Sequence, residues 1–140
     1  MFKKFNYLCD DAKKIRDEVF VKEQHFQNEY DDIDNYAIHL VFYNNEIPIA
    51  TCRFFQGENK DEYIVGRIAV LKEHRGNHYG EIILNTVEKL IKNDGGSIIS
   101  LSAQIRVQAF YEKFGYKAVG EKYFDEYYEH INMKKCIREV

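Results

Sequence analysis

A chain of 140 residues suits one domain with a buried core. At 45% hydrophobic, 31% charged and a formal charge of -3, it carries no general basic field to recruit nucleic acid. No apolar run is long enough to span a bilayer, and Met1-Phe2-Lys3-Lys4-Phe5-Asn6 has no apolar stretch behind its lysines, which argues against a secretory signal. Phe2 to Leu8 reads as a short first strand. Asp10 or Asp11 is expected to cap a helix running to about Gln24, with Ala12, Ile15, Arg16, Val19 and Phe20 near helical spacing. His25 to Asn35 is polar and acidic and reads as a loop. Three strand-like runs follow, at 37–43, 47–55 and 62–71, joined by Asn44-Asn45-Glu46 and by the segment Gln56 to Asp61. Pro48, the only proline, belongs at a strand start or edge.

Gly80 to Lys92 has the apolar spacing of a helix, with Ile83, Leu84, Val87, Leu90 and Ile91 on one side. Asn93-Asp94-Gly95-Gly96 ends it. Ser97 to Ala103 reads as a buried strand and Ile105 to Phe114 as a second amphipathic helix, stopped by Gly115. Tyr116 to Gly120 returns as a strand, and the tail from Tyr127 to Lys135 reads as the last one. The order β-α-β-β-β-α-β-α-β-β places the chain in the α/β (α+β) class, with helices covering a mixed sheet in a single domain spanning residues 1–140.

Cys9, Cys52 and Cys136 are odd in number and far apart, with no C-x-x-C pair. This spacing suits reduced thiols of a cytoplasmic protein, mostly packing residues, rather than zinc ligands or a disulfide framework. The aromatic pairs Tyr123-Phe124 and Tyr127-Tyr128 leave two readings open: a patch that pairs subunits in a homo-oligomer, or packing on the protein's own sheet.

The stretch Arg75-Gly76-Asn77-His78-Tyr79-Gly80 lies between the apolar run 63–71 and the helix from Gly80. Strand, small-residue loop and helix together present backbone N–H groups to a phosphate, because the first N–H groups of a helix have no partner within it and the helix dipole adds positive potential. Taken alone, a loop with two glycines more often serves a plain strand–turn–helix connection.

This loop, in this order of elements, resembles the GNAT superfamily of acyl-CoA-dependent N-acyltransferases, whose phosphate loop has the form Arg/Gln-x-x-Gly-x-Gly/Ala. Arg75 and Gly80 match, and His78 replaces the middle glycine. Further stretches are similar to the small bacterial YjcF/ElaA-like branch: Val19-Phe20-Val21-Lys22-Glu23-Gln24, Asp32-Ile33-Asp34, Ala103-Gln104 with Phe110-Tyr111-Glu112-Lys113-Phe114-Gly115-Tyr116, and Glu121-Lys122-Tyr123-Phe124 with His130. The resemblance implies acetyl-CoA or a related acyl-CoA as co-substrate. Its arm would pair with the backbone of Ile68, Ala69 and Val70. Its pyrophosphate would sit on the loop Arg75, Gly76, Asn77, His78, Tyr79 and Gly80, with Glu81, and Gln104 would line the arm or the acceptor site. A side chain at His78 where the family leaves space implies a slightly displaced loop.

The resemblance also assigns a role to Tyr111, the acid that protonates the departing thiolate, since a phenol titrates near a thiol. Tyr116, after Gly115, reads as strand packing. A backbone N–H near Val70 would stabilise the carbonyl oxygen. No carboxylate lies between Ile64 and Leu71, so the base stays unassigned. Glu23, Asp34, His39, Arg67 and His130 are the acceptor-site candidates. Each has a plainer reading: Glu23 as a solvated helix residue, His39 as a hydrogen-bonded strand histidine, Arg67 paired with an acid, and His130 ordering the last strand. The acidic run Glu29, Asp31, Asp32 and Asp34 either draws a cationic amine or is a solvated loop, and it lacks the glycine and distal glutamate of a calcium loop. The expected activity is acetyl transfer to a primary amine, a small molecule by preference, without nucleic acid, membrane or metal. The alternative is an acyl-CoA-binding sensor without turnover.

Overall fold

The computed structural model describes residues 1–138. Its elements follow the expected order: β1 (Phe2–Phe5), α1 (Asp10–Arg16), β2 (Ile38–Asn44), β3 (Ile47–Gln56), β4 (Glu62–Val70), α2 (Tyr79–Asn93), β5 (Ile98–Gln104), α3 (Gln108–Lys113), β6 (Lys117–Asp125) and β7 (Tyr128–Cys136). The strands take the order β1-β2-β3-β4-β5-β7-β6. The hairpin-linked pairs β2–β3 and β6–β7 run antiparallel, and so do β1 and β2 although a helix joins them, whereas β4 and β5, also joined through a helix, run parallel over Glu62↔Ile98 to Ile64↔Ser100. The sheet is therefore mixed.

The chain divides into two compact units. The first comprises Met1–Phe55 and Val65–Val87, the second Gln56–Ile64 and the residues from Glu88 onward. In the first unit, α1 buries Ala12 and Ile15 with Val41, Tyr43 and Ala69. β2 is buried at His39 through Tyr43 without alternation, as a strand covered on both faces must be. Pro48 is the second residue of β3 and lies opposite Tyr43, where the β2–β3 register shifts. A strand start beside a bulge spares the ladder the missing N–H.

Several boundaries depart from the sequence reading: β1 stops at Phe5 rather than Leu8, and the segment from Ile105 is a 3-10 turn to Val107 before α3 begins. Cys9, not Asp10 or Asp11, is the N-cap of α1, and no side chain caps it; the Asp11 carboxylate instead accepts the Tyr43 hydroxyl at 2.7 Å. The first helix is α-helical only to Arg16 and continues over Asp17–Glu23 as a π-helix, with the Gln24 N–H reaching the Val19 carbonyl. The wider turn lets the sequence neighbours Val19 and Phe20 enter the same apolar cluster. Finally, β6 runs past Gly120 to Asp125: this glycine, at φ +80°, marks a register shift against β7 rather than a strand end.

In the second unit, Ile99, Leu101, Ala103, His130, Ile131 and Met133 are the buried members of β5 and β7, which pair antiparallel from Ile98↔Cys136 to Gln104↔His130. Cys9 and Cys52 are buried, but Cys136, expected to pack, ends β7 exposed. Burial pushes the Cys9 and Cys52 thiols up, so both stay protonated packing groups.

Candidate active site

β4 ends as the Leu71 N–H donates to the Ile49 carbonyl at 2.9 Å. A short 3-10 turn, Lys72–His74, leads to Arg75 in extended conformation, and α2 begins at Tyr79. Between them the backbone curls twice into the left-handed region, at Gly76 (φ +85°) and at His78 (φ +64°). Nothing lies within 4 Å of where a Cβ on Gly76 would sit, so glycine serves the torsion there rather than a tight contact. The His78 carbonyl accepts the Ile82 N–H at 3.0 Å and opens α2, which is 15 residues long. The His78 side chain is 82% exposed, with its Nδ1 3.8 Å from Glu81. It points to solvent, so it does not displace the loop by bulk. The position demands a positive φ, which histidine adopts at a cost. Arg75 holds the base of the curl: its Nε donates to the Val70 carbonyl at 3.0 Å and both terminal nitrogens donate to Glu23 at 2.7 Å. Glu23 thus stands at the phosphate loop. Ile68 and Val70 are half-buried and Ala69 is buried in the α1 cluster.

The acidic run is neither a solvated loop nor a free anionic field. Arg16, 1% exposed, donates to Glu29 Oε2 at 2.7 Å and to Asp34 at 2.8 and 3.1 Å. Arg53 donates to both oxygens of Asp31 at 2.6 and 3.0 Å and to Asp34 at 2.8 Å. Arg67 reaches the Glu29 carbonyl at 2.9 Å, its carboxylate at 3.1 Å and Asp31 at 3.4 Å. Three guanidinium groups face three carboxylates, and the charges cancel. Asp34 pays for its burial with hydrogen bonds from Arg16 and Arg53, which hold its carboxyl at about 2. Arg53 likewise holds Asp31 low. Burial pushes Glu29 up, with Arg67 and Arg16 opposing, and its Oε1 has no hydrogen-bond partner among the described residues. Asp32 is exposed and outside this knot. Arg67 adopts φ +52° within β4, a conformation that non-glycine residues rarely take in a strand. His39 is sealed at 1% exposure, with Nε2 3.1 Å from the Asp34 carbonyl; burial pushes its pKa down, which keeps it neutral.

The second unit holds the other candidates. Tyr111 is buried on α3, its ring edge-on to Tyr116 (5.9 Å between centroids) and to Phe110 (5.2 Å). The Tyr116 hydroxyl is taken by Glu88 at 2.9 Å, and Lys135 completes that group at 3.0 Å. Gln104 accepts Arg106 Nε at 2.7 Å. His130 pairs across from Gln104, with Nδ1 2.8 Å from the Tyr128 carbonyl and its ring stacked on Tyr123. The Tyr123 hydroxyl bonds Ser102 and donates to Asn132 at 2.9 Å. Of the aromatic pairs in the C-terminal region, Phe124 and Tyr127 are exposed at 72% and 65%.

Sequence reasoning missed Arg16 and Arg53 as members of the carboxylate group. A signal existed for Arg53: it stands in the run Ile49-Ala50-Thr51-Cys52-Arg53-Phe54, where a charge needs a buried partner. Among the described residues, no group of three or more His, Cys, Asp or Glu side chains is placed to hold a metal ion, and no helix is long and apolar enough to cross a membrane.

A mixed seven-stranded sheet whose fourth strand runs through a doubly curled loop into a helix is the framework of an N-acyltransferase. The chain matches the family described as "Acetyltransferase (GNAT) domain" over residues 8–137, and it belongs to that family of N-acetyltransferases. It is 40% identical to the uncharacterized N-acetyltransferase YjcF of Bacillus subtilis (strain 168) over 129 residues, 89% of this chain and 90% of the relative. Among solved structures it is similar to Escherichia coli ElaA (TM-score 0.85, 23% identity, 96% of this chain and 98% of that one). It is also similar to an aminoglycoside 6'-N-acetyltransferase complexed with coenzyme A (TM-score 0.78, 16% identity, 100% of this chain and 98% of that one). The two structural likenesses speak for the fold.

Proposed function

We propose that this protein transfers an acetyl group from acetyl-CoA to a primary amine by direct attack in a ternary complex. The observation that carries the reading is the curl at Gly76 and His78 at the start of α2. Left-handed residues in a turn are what lets successive N–H groups form an anion-binding concavity, and two stand within three positions here, beside the positive end of a 15-residue helix. These residues fit a pyrophosphate, and a structural neighbour is known in complex with coenzyme A.

The loop Arg75 to Gly80, with Glu81, would hold the pyrophosphate, and the backbone of Ile68, Ala69 and Val70 would pair with the pantetheine arm. Arg75 would add charge once it turns from Glu23. Acetyl-CoA supplies an activated acyl group on a thioester. Tyr111 is the proton donor to the departing thiolate, and the Tyr116 hydroxyl, bound to Glu88, is not. The buried Tyr116 and the half-buried Phe110 hold the Tyr111 ring from two sides. The acceptor is a small amine, and the protein acts without nucleic acid or membrane, in the cytoplasm.

Calorimetric titration with acetyl-CoA, CoA and dephospho-CoA, followed by thiol release over a panel of amines, tests this. Saturable binding of CoA and amine-dependent thiol release are expected. Tyr111→Phe should lower turnover about a hundredfold while the affinity for acetyl-CoA holds. Binding without thiol release would turn the reading to an acyl-CoA sensor. Equal turnover in Tyr111→Phe would remove the tyrosine from its role.

A further inference from the structure

We propose that Nε2 of His130 takes the proton from the acceptor's ammonium group, which makes His130 the base that accompanies Tyr111. This rests on the acetyl-transfer reading and names the group that it leaves unassigned.

The tautomer carries the argument. Nδ1 of His130 lies 2.8 Å from the Tyr128 carbonyl oxygen, which can only accept, so Nδ1 bears the hydrogen. In the neutral imidazole the lone pair then belongs to Nε2, and that nitrogen has no hydrogen-bond partner among the described residues. The ring is held on a second side by its stack on Tyr123, 5.9 Å between centroids at 22°. Tyr123 is itself tied by its hydroxyl to Ser102 on β5 and Asn132 on β7. Three strands therefore fix one imidazole in one orientation and one protonation pattern, which is what a positioned base requires.

Its place in the fold agrees. His130 pairs with Gln104, the last residue of β5. From there the chain passes through the turn Ile105–Val107, which packs beside β7, into the helix that carries Tyr111. The turn that leads to the helix of Tyr111 thus packs beside the strand that carries His130. The other candidates are engaged: Glu23 with Arg75, Asp34 with Arg16 and Arg53, and His39 with the Asp34 carbonyl.

The step balances as follows. The ammonium gives one proton to Nε2, and the freed amine forms the new C–N bond at the thioester carbonyl. The C–S bond breaks, Tyr111 protonates the thiolate, and the phenolate recovers its proton from the nitrogen of the new amide. His130 then releases its proton to solvent.

The groups that touch the ring are the Tyr123 ring on β6 and the Tyr128 carbonyl on β7, and Arg106, on the turn after β5, lies over the Tyr128 ring. The experiment measures amine-dependent thiol release at pH 8 in the unaltered protein and in His130→Asn, which keeps a donor where Nδ1 sits. The expected result is a loss of about a hundredfold in kcat/KM with an alkylammonium acceptor and unchanged affinity for CoA, which also shows that the variant folds. The loss should shrink with hydroxylamine, which is neutral at that pH and has no ammonium proton to give up. Equal kcat/KM in His130→Asn with the alkylammonium acceptor, or an equal loss with hydroxylamine, would overturn the assignment. Absence of thiol release from the unaltered protein with every amine would instead overturn the transfer reading beneath it.

Discussion

Arg75 and Glu23 form a two-pronged ion pair, both N···O distances 2.7 Å, that ties the end of the first helix to the phosphate loop. The pair is part-exposed, at 40% and 35%, so it is worth at most about 1 kcal/mol. Any phosphate that draws on Arg75 must compete with this carboxylate. Glu23→Gln should therefore tighten CoA binding up to about fivefold and steepen its salt dependence. Calorimetry at low and high salt reads both, and an unchanged affinity would show that Arg75 stays on the protein side of the loop.

The buried charges set the acid limit of stability. Asp34 is held at about 2 in the folded protein against an ordinary 3.8. A depressed carboxyl stabilises the fold above its unfolded pKa, and this contribution, about 2 kcal/mol, is lost as pH falls from about 4 to 2. Urea unfolding across that window should show the loss, and Asp34→Asn should flatten it.

Removing one side of the knot should be far worse than a surface change. Arg16→Met strands Glu29 and Asp34 inside the protein and should cost about 3–5 kcal/mol. Glu29→Gln should cost less than Asp34→Asn, because burial already opposes the Glu29 charge. Thermal melts of the three variants give the ranking, and a Glu29→Gln loss equal to that of Asp34→Asn would contradict the direction found for Glu29.

His78 carries strain that glycine would relieve. At φ +64° and 82% exposure it has little packing to lose. His78→Gly should leave stability equal or raise it by about 1 kcal/mol, the relief of a left-handed residue exceeding the extra chain entropy. His78→Val should lower it by a similar amount, because β-branching makes that conformation worse. Chemical denaturation of both variants checks the sign.

Gly96 has a different reason to be glycine. A Cβ there would lie 2.7 Å from the Tyr63 ring and closer still to Cγ2 of Ile91. Gly96→Ala should destabilise by about 1–3 kcal/mol through overpacking. A melting temperature equal to that of the unaltered protein would mean that these side chains make room freely.

The order of elements, the strand–loop–helix unit after β4 and the positions of Tyr111 and Gly80 are local in sequence, and the sequence determined them. Apolar spacing decides helix against strand over a few residues, and the loop motif spans six positions. The conversion of Asp17–Glu23 to π-helix was not legible, because it answers to the packing of Val19 and Phe20 rather than to propensity. Nor was the fate of the charges. Glu29 and Asp34 look like loop acids until Arg16, Arg53 and Arg67 arrive from 13 to 38 residues away. The hydrogen on Nδ1 of His130 is of the same kind, decided by a carbonyl that only the strand geometry puts in reach. Composition determines what a residue is able to do. Only the tertiary structure decides its partner, since desolvation and hydrogen bonding act through distances that the linear spacing of residues does not encode.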